Sequence, residues 1–260
     1  GLFLTGYCNL FKSDPKEEYL IQINFLATKL IELKTDSFSG ACWGYNFDWQ
    51  SRAFFLPKET PTVVATAFIA SALMDAYEVT KNTSYLDVAL TSADFVIKVS
   101  NRTPTKGGFI FSYSPFDETG VYNASLLGSK LLARIYSYTQ DEALLEAARD
   151  SVIACTNAQR EDGAWIYGEL SIQDWVDNFH TGYNLECIKE YQKYSNDNGF
   201  QRNIDLGLRY YLDHFFLEDG TPTYYDKNAY PIDIHAAAQL ITPLTFIYIN
   251  IEKTMQIYNV

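Results

Sequence analysis

The stretch that decides the fold is residues 108–158, which opens with the glycine-aromatic segment Gly108-Phe-Ile-Phe-Ser-Tyr113. The nearly uncharged run Val121-Tyr-Asn-Ala-Ser-Leu-Leu-Gly-Ser-Lys-Leu-Leu-Ala-Arg-Ile-Tyr-Ser-Tyr138 follows, and then the charged segment 142–158. This order recurs with a period of about 57 residues, which indicates an array of one supersecondary unit. The other loops begin Gly40-Ala-Cys-Trp-Gly-Tyr, Gly163-Ala-Trp-Ile-Tyr-Gly and Gly220-Thr-Pro-Thr-Tyr-Tyr.

The helical segments between these loops are of two kinds. Segments apolar on most sides should be buried on most sides, and these are 1–12, 62–80, 121–138, 179–195 and 234–250. Segments with a single apolar stripe should lie at the surface, and these are 16–35, 84–99, 142–158 and 199–216. Two alternating kinds predict an all-α protein, an (α/α) toroid with about five visible hairpins of an incomplete six-hairpin ring. A solenoid of helix pairs is the alternative, although its usual repeats are shorter.

The connections agree with a ring that gathers its long loops at one end. Turns from inner to outer segments are short, whereas the loops 36–61, 100–120, 159–178 and 217–233 are long, and long loops are often functional. We expect short strands in these loops at 109–113 and 165–167. We also expect one toroid domain over residues 1–260, as a fragment of a longer chain.

Composition narrows the classes of partner. The 260 residues carry a net charge of −12, which disfavours nucleic acid and anionic membrane surfaces. The sequence contains no run of 18 apolar residues, so it predicts no membrane span. No signal peptide is visible, and we expect a cytoplasmic protein. Because the chain begins at Gly1 rather than Met, the alternative that an N-terminal leader has been removed stays open. No metal-ligand spacing is present, so we expect neither metal nor cofactor; oligomeric state is left open.

The loop 40–61 predicts a saccharide site. Trp43, Tyr45, Phe47 and Trp49 alternate with the polar residues Asn46, Asp48 and Gln50, so an extended backbone would separate aromatic from polar groups. Aromatic faces suit the apolar faces of sugar rings, and Arg52 is placed to clamp a carboxylate or phosphate. Asp48 is a candidate catalytic carboxylate. The alternative is a loop that plugs the toroid mouth, with Asp48 and Arg52 as an internal ion pair.

Two of the three histidines fall at equivalent points of the repeat. His180 and His235 lie 55 positions apart, each near a carboxylate at the start of an inner segment, Asp177 and Asp233 respectively. They are the candidate catalytic residues, with each histidine as general acid or base. The alternative for Asp177 is an N-cap role. Further candidates for substrate contact are Tyr122, Trp165, Tyr167, Glu169, Trp175 and Tyr230.

Three strings carry a family resemblance: Cys42-Trp-Gly-Tyr-Asn-Phe-Asp-Trp-Gln-Ser-Arg52, His180-Thr-Gly-Tyr-Asn-Leu-Glu-Cys187 and Tyr230-Pro-Ile-Asp-Ile-His235. The chain resembles the six-hairpin (α/α)-toroid group of carbohydrate-active proteins, and within it a microbial family linked to surface-polysaccharide gene clusters. Members of that family are sometimes labelled δ-aminolevulinic acid dehydratase, which the helical repeat contradicts. The resemblance implies the toroid and a carbohydrate context. Related N-acylglucosamine 2-epimerases use a histidine pair, which His180 and His235 would supply.

A second resemblance concerns Gln159-Arg-Glu-Asp-Gly-Ala-Trp165, which is similar to the Q-x-x-x-G-x-W repeat of triterpene cyclases. There the motif ties outer helices together and is not catalytic. No aspartate-rich cyclase motif is present, so isoprenoid handling is the weakest hypothesis. The leading hypothesis is an enzyme that hydrolyses, epimerises or eliminates a uronic acid or amino sugar in polysaccharide metabolism. The alternative is a non-catalytic glycan-binding or assembly protein.

Overall fold

A computed structural model describes residues 1–239 and 241 of the chain, most of which are helical. Residues 234–239 are also helical; the rest of the expected 234–250 helix, apart from residue 241, lies outside the described residues. The α-helices are α1 Leu2–Ser13, α2 Glu17–Glu32, α3 Val63–Thr80, α4 Thr83–Asp94, α5 Tyr122–Thr139, α6 Glu142–Asn157, α7 Asn178–Ser195 and α8 Gln201–His214. A π-helical turn, residues 95–99, extends α4.

The helices pack as an inner and an outer set. Helix α5 packs against both α3 and α7, and α3 packs against α1, so these four form the inner arc. Each is followed by an outer helix that packs on it, as α2 does on α1 and α6 on α5. The apolar composition of α5 is explained by its burial along most of its length, whereas α2 buries only Ile23 and Ala27. The expected all-α toroid is confirmed.

Successive inner helices end in the same way. Lys81, Gln140 and Asn196 follow α3, α5 and α7, and all three adopt left-handed backbone with φ of 61°, 59° and 58°. A left-handed residue is a common way to stop an α-helix and reverse the chain. The short inner-to-outer turns are therefore copies of one turn.

The long loops contain two small hairpins. Strand β1 (Trp49–Gln50) pairs antiparallel with β2 (Phe55–Leu56), and β3 (Arg102–Thr105) pairs with β4 (Gly108–Phe111). The strand expected at 109–113 is thus present in part. The strand expected at 165–167 is wrong, because the backbone of Tyr167 bonds singly to Trp175 and to Tyr122 and no ladder of pairs forms. Trp165 turns its ring into the core, where its Nε1 donates to the Cys155 carbonyl at 2.9 Å.

The loop glycines lie directly against the outer helix of the following hairpin. A Cβ on Gly40 would lie 2.1 Å from the Thr91 carbonyl oxygen, and one on Gly163 would lie 2.4 Å from that of Leu206. Gly108 meets the Asp150 carbonyl in the same way, at 2.0 Å. At these three positions the distances leave no room for a side chain, so the glycine is a packing requirement, whereas a Cβ on Gly220 would meet no described atom within 4 Å.

The Gln159 motif ties two outer helices, as its resemblance implies. Just after the end of α6, Gln159 Nε2 donates to the Asn203 carbonyl on α8 at 3.0 Å, and Asn203 Nδ2 donates back to Gln159 Oε1 at 2.8 Å. Among the described helices, α3 alone has the length and apolar composition of a membrane-spanning segment, a criterion that buried helices of globular proteins also meet.

The glycine contact can be tested with two Gly→Ala substitutions, one at a contact and one away from any contact. Gly108→Ala is expected to lower the free energy of unfolding by about 1–3 kcal/mol, because the methyl group would overpack the Asp150 backbone. Gly6→Ala is the control: nothing lies near its Cβ position on α1, so it should raise stability by about 0.5–1 kcal/mol. Urea unfolding measures both, and a neutral Gly108→Ala would contradict the packing argument.

Candidate functional site

A cavity of about 630 Å³ opens among the long loops, beside the first turns of the inner helices. Its volume is in the range typical of small-molecule sites. Helices α3, α5 and α7 contribute lining residues, and the loops supply most of the rest. The lining is strongly aromatic, with Tyr45, Trp49, Phe54, Tyr113, Tyr167, Trp175, Phe179, Tyr183, Tyr224 and Tyr225.

At one wall, a buried carboxylate orients His180. Asp177 is 2% exposed and precedes α7, and its Oδ1 accepts from the His180 backbone N–H at 2.9 Å. Its Oδ2 lies 2.6 Å from His180 Nδ1 and accepts from Trp175 Nε1 at 2.8 Å. Both interpretations of Asp177 therefore apply together, as N-cap and as orienter. If Nδ1 carries the proton donated to Asp177, Nε2 is left with its lone pair free.

His235 is held differently. Its Nε2 lies 2.9 Å from the Tyr183 hydroxyl, and its ring stacks on Phe179 with centroids 4.2 Å apart. Asp233 Oδ1 accepts from the His235 backbone N–H at 2.7 Å. The parallel between the two segments is thus incomplete. Asp177 bonds the ring of His180, whereas the ring of His235 is bonded by Tyr183 and not by Asp233. Burial lowers the pKa of His235, and the nearby His180 lowers it further, while Asp233 opposes both.

The fold brings the two histidines into one site. Phe179 contacts both rings, with its centroid 4.2 Å from that of His180 as well. Tyr183 lies one helical turn after Phe179 and also lines the cavity. Burial raises the pKa of Tyr183 to about 12, so its hydroxyl stays protonated at neutral pH. The site therefore contains an aspartate-supported imidazole beside a tyrosine-supported one.

One cation faces these groups. The Arg52 guanidinium carbon lies 4.7 Å from the Trp175 ring centroid, and Trp175 itself stacks on Tyr167 at 4.6 Å. Arg52 makes no ion pair with any described residue, and Asp48 accepts instead from the Lys58 backbone N–H at 2.7 Å. Among the described residues that line the cavity, Arg52 is the one permanent charge and no Asp or Glu is present.

Tyr45 and Trp49 form another part of the cavity wall. The Tyr45 hydroxyl lies 3.0 Å from that of Tyr113, and Trp49 packs edge-on against Tyr45 with centroids 5.4 Å apart. The loop bends at residues 46–47, so the expected extended backbone is not continuous. Phe47 is 55% exposed and stacks on Tyr45 from outside the cavity.

Several candidate residues lie elsewhere. Trp43, Tyr122 and Trp165 are 1%, 5% and 2% exposed and belong to the core, where Trp43 Nε1 donates to the Leu30 carbonyl. Trp43 also borders a second cavity, of about 750 Å³. Tyr230 is 75% exposed and lies outside the cavity lining, as do Asp48 and Glu169. Burial raises the pKa of Glu169, whose side chain lies against Gly120.

Several residues that line the cavity were not candidates, and two of them carry polar groups on the inner helices. Asn123, one position after the candidate Tyr122, lines the cavity at 5% exposure, and its Oδ1 has no hydrogen-bond partner among the described residues. Tyr183 is the other. Asn123 follows the candidate Tyr122 by one position and Tyr183 follows the candidate His180 by three, so a correct helix phase would have been the signal for them. Within residues 1–239 and 241, no group of three or more His, Cys, Asp and Glu residues could hold a metal ion.

The comparisons with known proteins concern the architecture. No protein-family model and no curated protein matches the chain. The structure is similar to cellobiose 2-epimerase from Bacillus thermoamylovorans, with a TM-score of 0.68 and 18% identity over 88% of this chain and 63% of that one. It is also similar to a family 88 glycosyl hydrolase from Bacteroides vulgatus, with a TM-score of 0.64 and 12% identity over 92% of this chain and 71% of that one.

A third similar structure is the GH76 α-mannanase of Bacteroides thetaiotaomicron, with a TM-score of 0.69 and 14% identity over 95% of this chain and 67% of that one. All three are carbohydrate-active enzymes built as (α/α) toroids. The chain therefore has the toroid fold of these sugar-processing enzymes, with its aromatic cavity at the loop end of the ring.

Proposed function

We propose that the protein is an enzyme that removes a proton from a carbon atom of a uronic acid unit in a saccharide. The observation that carries the proposal is the pairing of His180 with Asp177 and of His235 with Tyr183 around one cavity. Two positioned acid–base groups of this kind suit proton abstraction and return. Replacement of the proton on the opposite face would give epimerisation, and loss of the neighbouring oxygen substituent would give elimination.

Hydrolysis is less well supported. A glycosidase of the usual kind needs two carboxyl groups on either side of the scissile bond, about 5–9.5 Å apart. No Asp or Glu is among the described residues that line the cavity. Asp177 is fully engaged with His180 and Trp175, and Asp48 and Asp233 accept from backbone N–H groups. Histidine chemistry therefore accounts for the site better than a carboxylate pair.

The roles of the two histidines follow from their partners. Asp177 holds the His180 ring through Nδ1 and leaves Nε2 free toward the cavity, so we assign the role of proton acceptor to His180. Tyr183 and His235 share a hydrogen bond, and this pair can return a proton to the carbanion or pass one to a leaving oxygen. Phe179 fixes the separation of the two rings.

Arg52 favours a uronic acid over an amino sugar. A guanidinium binds a carboxylate by parallel N–H···O bonds, and it would stabilise the charge that develops when the adjacent carbon loses its proton. An ammonium group would be repelled by Arg52 and would find no carboxylate among the described lining residues. The aromatic walls suit the apolar faces of the sugar ring, and the unpartnered Asn123 amide suits a hydroxyl group.

The activities of structurally similar proteins support a saccharide as substrate. These proteins include a cellobiose 2-epimerase, a polysaccharide lyase, a D-mannose isomerase and glycosyl hydrolases. Epimerisation, elimination and isomerisation of sugars all begin with a proton transfer, which is the chemistry proposed for this cavity. A non-catalytic glycan-binding protein would need the aromatic walls but not the Asp177–His180 and Tyr183–His235 pairs.

Deuterium exchange tests the proposed proton abstraction directly. In D₂O, epimerisation should introduce deuterium next to the carboxylate of uronic acid oligosaccharides, detected by NMR or mass spectrometry, whereas elimination should give an unsaturated product, detected by its ultraviolet absorbance. His180→Asn keeps a donor toward Asp177 but lacks the base, and we expect it to slow exchange by about 10²–10⁴-fold. His235→Gln should have an effect of similar size.

His214→Gln is the matched control for both variants. His214 ends the outer helix α8 and does not line the cavity, so this variant should exchange at the wild-type rate. Equal exchange in all three variants would contradict a catalytic role for the cavity histidines. Binding of uronic acid saccharides by the wild-type protein with neither deuterium exchange nor an unsaturated product would favour the glycan-binding alternative.

The titration of His235 provides a test that needs no substrate. Because burial lowers its pKa below the ordinary 6.5, its imidazole NMR signals should titrate with a midpoint below 6.5. The unfolded chain then binds this proton more tightly, so His235 should reduce stability as pH falls below 6.5 toward its folded pKa. The His235→Gln spectrum assigns the signals, and a midpoint at or above 6.5 would contradict the burial argument.

A further inference from the structure

The central cavity shares its walls with two further cavities. Tyr45 lines both the central cavity and a second one of about 750 Å³. Arg52, Trp175 and Tyr225 line both the central cavity and a third one of about 310 Å³. All three are lined by the long loops. The central cavity shares wall residues with each of the other two. We call the three together the loop-face groove.

The second cavity combines exposed aromatic surface with polar groups. Phe116 is 69% exposed, and its ring packs edge-on against Phe38 with centroids 6.3 Å apart. Asn46, Thr35 and Thr60 also line this cavity, together with charged side chains of both signs. A purely apolar ligand would leave these polar groups unpaired, whereas a sugar ring offers both C–H faces and hydroxyl groups.

The third cavity is more polar and carries additional cations. Arg160 and Lys227 line it beside Arg52, together with two carboxylates: Asp174, which is exposed, and Asp226, which accepts from the Tyr210 hydroxyl. Arg160 pairs with Asp162 at 2.7 Å, whereas Lys227 makes no ion pair with a described residue. Trp175 is common to this cavity and the central one, so one indole ring borders both.

The two shared walls are held in place by side-chain contacts. Tyr45 is fixed by stacking on Phe47 at 5.5 Å and by its hydroxyl contact with Tyr113. Trp175 is fixed by stacking on Tyr167 and by its bond to Asp177. Walls held in this way need no ordering when a ligand binds, so the groove is preorganised.

We propose that the loop-face groove binds a chain of sugar units rather than a single sugar. One uronic acid unit occupies the central cavity beside His180 and His235, and neighbouring units of the same chain occupy the cavities at Phe116 and at Lys227. This inference rests on the proposed function for the central unit. It adds that the substrate is an acidic oligosaccharide or polysaccharide, attacked at an internal unit.

Length ladders of uronic acid oligosaccharides test the groove. Galacturonate, mannuronate and glucuronate oligomers of one to six units are immobilised as an array, and dissociation constants are measured for wild-type protein. We expect affinity to rise by at least about tenfold from one unit to three and then to level off. Phe116→Ala should remove most of the gain in affinity that comes from sugar units bound in the second cavity.

Phe25→Ala is the matched control, because Phe25 is 60% exposed on the outer helix α2 and lies outside the groove. It should keep the full dependence on length. Affinity that does not change with length, alongside normal deuterium exchange, would overturn the groove and leave the proposed reaction standing. Neither binding nor exchange at any length would overturn both proposals. Circular dichroism of each variant checks that a lost gain does not reflect unfolding.

Discussion

The contact between a loop glycine and the backbone of the following outer helix is the constraint from which the rest of the structure follows. At Gly40, Gly108 and Gly163 the chain passes so close to a helix carbonyl oxygen that a methyl group would not fit between them. Each contact holds a long loop against the outer helix of the next hairpin. The cavity exists because three such loops converge over the inner helices.

The architecture was predictable because its determinants are distributed along the sequence. The contrast between α5, which is buried on most sides, and α6, which has one apolar stripe, is visible in the placement of charged residues alone. The histidines were predictable for a related reason. A residue that recurs at one phase of a repeat is expected at neighbouring positions of the ring, and His180 and His235 both contact Phe179.

Side-chain direction within the loops was not predictable. Trp43 and Trp165 carry the same aromatic signal as Trp49 and Trp175, yet their indole N–H groups bond to core carbonyls while the other two line the cavity. The difference depends on where the backbone bends, as it does at residues 46–47. Helix phase limited the prediction in the same way, because a shift of one position separates the buried Tyr122 from Asn123.

The solitary cation in the cavity has a consequence for how a ligand arrives. The whole chain carries a charge of −12, so its field at a distance repels an anionic glycan. Salt screens that repulsion beyond about 8 Å at physiological ionic strength, which leaves the attraction of Arg52 as a short-range event. Selectivity for an acidic sugar would then depend on how slowly it dissociates from the cavity, and hardly at all on its rate of association.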